Sequence, residues 1–112
     1  MSVSLVITPD GDLREVTLPA GEESSLPVMR REMGCRYVDV VRLTTRVDMW
    51  IDDEGAYTEP INLVATVLTQ RHGRVYQPYF GTVLLCGVDD HGNSIDLTVD
   101  QTRALLTHLM DM

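Results

Sequence analysis

A chain of 112 residues with 44% hydrophobic content can bury one core without a disulfide or metal staple, and it is too apolar to stay disordered. Seventeen acidic residues face nine arginines and no lysine, for a formal charge of -8 and a pI near 4.6. That field repels phosphate backbones and anionic membranes and suits a basic protein surface. It argues against direct nucleic-acid binding, since the arginines are not clustered along the chain.

The chain opens on an apolar, β-branched run, Val3 to Thr8. Pro9-Asp10-Gly11-Asp12 follows with turn chemistry, and Leu13 to Leu18 then alternates, so the first element is a β-hairpin. Ser24 or Ser25 caps a helix with Pro27 in its first turn, Leu26, Met29 and Met33 on one side, and Gly34 at its end. Cys35 to Leu43 is the next strand. Arg46 to Asp52 is its partner, with Val47, Met49 and Ile51 on one side and Arg46, Asp48, Trp50 and Asp52 on the other.

Asp52-Asp53-Glu54-Gly55 is a turn. Pro60 opens a second helix, whose stripe Leu63, Val64, Val67 and Leu68 is a buried face and which ends at Arg71-His72-Gly73-Arg74. Phe80 to Val88 is apolar on both faces and is expected to be a central strand. Ser94 to Leu97 is its hairpin partner. Thr98 and Gln101 form a capping box that starts a last helix carrying Leu105, Leu106 and Leu109. The order ββ-α-ββ-α-ββ-α predicts a single α+β domain over 1–112, a mainly antiparallel sheet with three helices packed on one side. Edge strands such as Val3 to Thr8 are free to pair between protomers; the oligomeric state is left open.

Chemistry concentrates at Asp48, Asp52, Asp53, Glu54 and Glu59, but the run lacks the alternate oxygen ligands and closing glutamate of a calcium loop. Cys35 and Cys86 match no zinc or redox spacing and read as free thiols in strands. His72, His91 and His108 show neither HxxxH nor HxH spacing. No metal site, cofactor or catalytic constellation is therefore expected, although His91 stands beside Asp89 and Asp90. No apolar run reaches the roughly 18 residues of a membrane span, and no leader is visible, so a cytoplasmic location follows.

Ile51-Asp52-Asp53-Glu54-Gly55, followed by Pro60-Ile61-Asn62 and Ala65, resembles the signature of an uncharacterised family, the domain of unknown function 3846. Phe80-Gly81-Thr82-Val83, Gly87, Asp90-His91-Gly92 and Leu97-Thr98 resemble its closing hairpin and last helix. The resemblance runs from about Val38 onward and more loosely over the opening hairpin, with Thr69 to Gln77 as an inserted mobile loop. It implies a small accessory protein of bacteria (actinobacteria among them), phages or mobile elements. It assigns no reaction, and places Glu54, Gly55 and Asn62 at matching positions.

Two functions follow as expectations. The first is a non-enzymatic accessory protein that binds a partner protein through an acidic surface, in its sharpest form as a DNA mimic against a defence nuclease. The second is a small-ligand or nucleotide-sequestering domain. For either, the binding candidates are Trp50, Asp52, Asp53, Glu54, Tyr57 and Asn62. Asn62, near a helix start, is expected to cap that helix or tie down the acidic turn.

Overall fold

A strand with no polar side has to lie inside a sheet that is covered on both faces. The structure, a computed structural model, describes residues 2–110 except the side chains of Glu22 and Tyr57, and it puts the run Val83–Val88 in that position. The elements in chain order are β1 (Ser4–Ile7), β2 (Leu13–Val16), α1 (Glu22–Met33), β3 (Val38–Thr44), β4 (Val47–Asp52), α2 (Gly55–Thr58), α3 (Leu63–Arg71), β5 (Val83–Val88), β6 (Ser94–Ile95) and α4 (Val99–Met110). The sheet runs β2-β1-β5-β4-β3, with β6 on β5, and every pairing is antiparallel. The three expected hairpins are present and the fold is α+β. α2, one turn long, was not foreseen.

The helices cover both faces of the sheet, which corrects the one-sided packing. On one face Leu5, Ile7, Met49, Val83 and Leu85 pack with Ala65 and Leu68 of α3 and Leu105 of α4. On the other, Val6, Leu84, Cys86 and Trp50 pack with Met29 and Met33 of α1. The all-buried pattern of β1 has the same origin. β1 is an inner strand between β2 and β5, so it offers no edge to a second protomer. The main strand path ends at β2 and β3.

Helix starts differ from the expectation where backbone groups outweigh side-chain caps. α1 begins at Glu22, before either serine. Gly21 turns the chain at φ 89°, and its carbonyl accepts the Ser24 and Ser25 N–H groups. Pro27 therefore lies inside the helix, and Ser25 joins Met29 and Met33 on the buried stripe. Gly34 closes the helix in the left-handed conformation, as expected.

α3 starts at Leu63, not Pro60. Pro60-Ile61-Asn62 instead runs antiparallel to 79–81, through Gly81 N–H to Pro60 O (2.9 Å) and Asn62 N–H to Tyr79 O (2.7 Å). Leu63 consequently faces solvent at 62% exposure, and the buried face is Ala65, Thr66, Leu68 and Thr69. Both threonine hydroxyls donate to helix carbonyls, which lets them lie inside. The helix continues through Arg71, so the first residues of the expected insertion are helical. The capping box of α4 is reciprocal, Thr98 N–H to Gln101 Oε1 (2.9 Å) and Gln101 N–H to Thr98 Oγ1 (3.1 Å). Among the described residues no helix is long and apolar enough to cross a membrane.

Both cysteines are free, Cys86 buried and Cys35 half-buried. Burial pushes the Cys86 thiol up to about 11, only partly opposed by the Trp50 indole and the Ser94 hydroxyl. The indole nitrogen itself has no partner in good hydrogen-bond geometry. Below pH 9 the thiol is protonated in both states. Between pH 9 and 11 the unfolded chain releases a proton that the folded chain retains, so folding loses stability as pH rises. For Cys86 the loss is expected to be about 2 kcal/mol at pH 10.5. Urea midpoints at pH 8 and 10.5 should show it as the part of the loss that Cys86→Ala removes, the remainder including the raised Cys35 thiol.

Candidate functional site

β4 ends at Asp52, and the chain there turns a corner held by backbone contacts. The Asp52 carboxylate accepts the Glu54 N–H (2.9 Å), and the Asp53 N–H donates to Tyr37 O (3.0 Å) at the entry to β3. Gly55 opens α2 against the β5 lead-in, so close that a Cβ there would stand 2.8 Å from the Phe80 carbonyl oxygen. The Gly55 carbonyl accepts the Glu59 N–H (2.9 Å), and the chain then enters its pairing with 79–81.

Asn62 is the centre of this corner and is fully buried. Its Nδ2 donates to Ile7 O (3.1 Å) and Gly81 O (2.9 Å), while Oδ1 accepts the Ala65 N–H (3.0 Å) as the cap of α3. One amide thus joins the end of β1, the approach to β5 and the start of α3. The capping half of the sequence expectation holds. Asn62 does not bond the acidic turn, and it offers nothing to a ligand.

Strand register determines which acids share the site. Ile7 pairs with Val83 and Val38 with Asp52, so the Thr8–Asp12 turn, the start of β3 and the 52–59 corner lie at one end of the sheet. Asp10, Asp12, Asp39, Asp52, Asp53, Glu54 and Glu59 gather there. Against them stand Arg30 and Arg31 in the last turn of α1, and Arg36, whose guanidinium is 3.8 Å from Glu54. That ion pair is exposed and adds little stability. Asp48 does not belong to the group. It sits nearer the other end of β4, buried and bonded to Arg42 Nε at 3.0 Å.

Two clefts flank Asp52. One, of about 250 Å³, is bordered by Cys35, Arg36, Asp52, Glu54, Thr58 and Glu59. The other, of about 210 Å³, is bordered by Asp39, Ile51, Asp53, Tyr79 and Phe80. The Cys35 thiol in the first is raised to about 11, by burial first and the Asp52 charge next, so it is not a thiolate nucleophile at neutral pH. No group of three or more His, Cys, Asp or Glu among the described residues is arranged to hold a metal ion.

Of the residues singled out in the sequence, Asp52, Asp53 and Glu54 are brought together at the clefts. Trp50 packs under α1 and borders neither cleft. Tyr57 is in α2, and its side chain lies outside the described residues. Asp10, Asp12, Asp39 and Arg36 were missed; the hairpin register carries the signal that would have found them. Elsewhere Asp89 accepts the Asn93 and His91 backbone N–H groups, at 2.8 and 2.9 Å. These bonds, that of Asn93 foremost, hold its carboxyl below the usual range. That loop is stabilised by its own backbone, and the His91 contact to Asp89 is through the main chain.

The family model described as Domain of unknown function (DUF3846) matches residues 1–110, and the chain belongs to that family. The match includes α1, beyond the stretch from about Val38 onward that carried the resemblance. No curated protein and no solved structure matches the chain.

Proposed function

We propose that this member of the DUF3846 family is a non-enzymatic accessory protein that binds the basic surface of a partner protein through the acidic end of its sheet. The observation that carries the reading is the gathering of seven carboxylates at that end, from Asp10 to Glu59, on three separate segments of chain. Opposed by three guanidinium groups, they leave a local excess of negative charge, which speeds encounter with a basic patch and excludes acidic competitors.

The test is a pull-down from the native host at low and high salt, followed by affinity measurement on the captured partner. Asp39→Asn, Asp53→Asn and Glu54→Gln together are expected to weaken binding by about tenfold or more while leaving the melting temperature nearly unchanged. Capture that is equally strong in 1 M salt would sink the reading. Duplex DNA competing for the same partner would sharpen it to DNA mimicry, the anti-defence form.

A second reading, a small-ligand or nucleotide binder, draws on the two clefts beside Asp52 and on Arg36 at the rim of one, where an anionic group would meet it. A nucleotide panel in thermal-shift format separates the two. A ligand at a hundred times its Kd stabilises by about 2.7 kcal/mol, well within detection.

A further inference from the structure

We propose that His72 and His108 together form a binding site for one divalent transition ion of the zinc class, held between the C-terminal ends of α3 and α4. Thirty-six positions apart in sequence, the two imidazoles lie with ring centres 5.1 Å apart and planes inclined at 50°. Both side chains are half-buried, reachable from solvent yet restrained by the helices that carry them.

Three independent features suit a cation there. The first is the tautomer of His72. Its Nδ1 is 2.9 Å from Leu68 O, and a carbonyl only accepts, so Nδ1 carries a proton and Nε2 is the ring atom left for a metal. The same carbonyl also accepts the His72 backbone N–H, which fixes the ring to the helix end. A ring N–H donated to a backbone carbonyl is the usual support of a metal-ligating histidine.

The second feature is the spacing. A zinc–nitrogen bond of about 2.0–2.1 Å along the line from ring centre through Nε2 puts each ring centre about 3.2 Å from the ion. Two such arms at a tetrahedral angle separate the ring centres by about 5.2 Å, against the 5.1 Å found. The third is the field. His72 is the C-cap of α3 and His108 lies in the last turn of α4. Two helix C-termini, each carrying roughly half a negative charge, thus converge on the pair, partly offset by Arg71 in the last turn of α3. Two neutral imidazoles select borderline-soft ions over magnesium or calcium, and water completes the coordination.

The experiment is titration of the full chain with Zn²⁺ and with Co²⁺ at pH 7.5, read by melting temperature, by calorimetric stoichiometry and by cobalt visible absorption. Wild-type protein is expected to bind one ion per chain and to gain several degrees in Tm at saturating Zn²⁺. Mg²⁺ should do nothing. His108→Ala, which leaves the His72–Leu68 contact intact, should lose at least tenfold in affinity, and His91→Ala should lose none. A metal-dependent dimer that His108→Ala abolishes also supports the pair as the site. An equal Zn²⁺ response in wild type and His108→Ala, an equal response to Mg²⁺, or a metal-dependent dimer that survives the substitution would overturn it.

Discussion

Asn62→Ala is expected to lower the unfolding free energy by about 3–5 kcal/mol, a large share of the total for a domain of this size. Its side chain makes three hydrogen bonds at full burial, and alanine supplies none of them. The Ile7 and Gly81 carbonyls and the Ala65 N–H are then left without their partner, at about 1–3 kcal/mol for each group that water cannot reach. Asn62→Asp separates the two halves of the role. An aspartate retains the cap to Ala65 but turns a carboxylate toward two carbonyl oxygens. It should therefore be worse than alanine at pH 7 and partly recover at pH 5, where a protonated carboxyl again donates one bond. Urea unfolding at both pH values measures this, with Leu63→Ala on the exposed side of the next residue as a near-neutral control. An Asn62→Ala loss within 1 kcal/mol of zero would remove Asn62 from the centre of the corner.

Gly55→Ala carries the second large effect, and there the sign is the test. Gly55 opens a helix and is not among the positive-φ glycines, so in an open site alanine would stabilise by about 1 kcal/mol. The new Cβ would meet the Phe80 carbonyl oxygen at 2.8 Å and its carbon at 3.3 Å. Both are backbone atoms in a segment already paired to Pro60 and Asn62, so neither can move without breaking that pairing. A destabilisation of about 1–3 kcal/mol is expected, larger for Gly55→Val. Thermal melts of the two variants decide it. Stabilisation by alanine would mean the corner is looser than its contacts imply. Loss of partner binding in Gly55→Ala at temperatures where it remains folded would link corner geometry to the presentation of Asp52, Asp53 and Glu54.

Much of the architecture was legible because hydrophobic periodicity reports burial. The two-sided apolar run of β5, the alternation of β4 and the Thr98–Gln101 box each produced the element they suggest. Where the reading failed, the deciding partner was distant in sequence. Trp50 looked like an apolar residue on a polar face until α1 was seen to cover that face. Leu63 looked buried because its spacing fits a stripe, yet Asn62 rotates α3 so that Ala65 and Thr69 go inside instead. The acidic turn was visible as a run of three, but Asp10, Asp12 and Asp39 join it only through strand register.

Local chemistry therefore determined the element types, the acidic charge, the turn at Asp52–Gly55 and the family signature, since each depends on neighbours within a few residues. Tertiary structure alone decided that the sheet is covered on both faces and that Asn62 joins three separated backbone segments. It also decided which carboxylates form one end, and that His72 meets His108. Those are contacts between residues tens of positions apart, and no periodicity along a single chain records them; they arise when the sheet order brings strand ends and helix ends together.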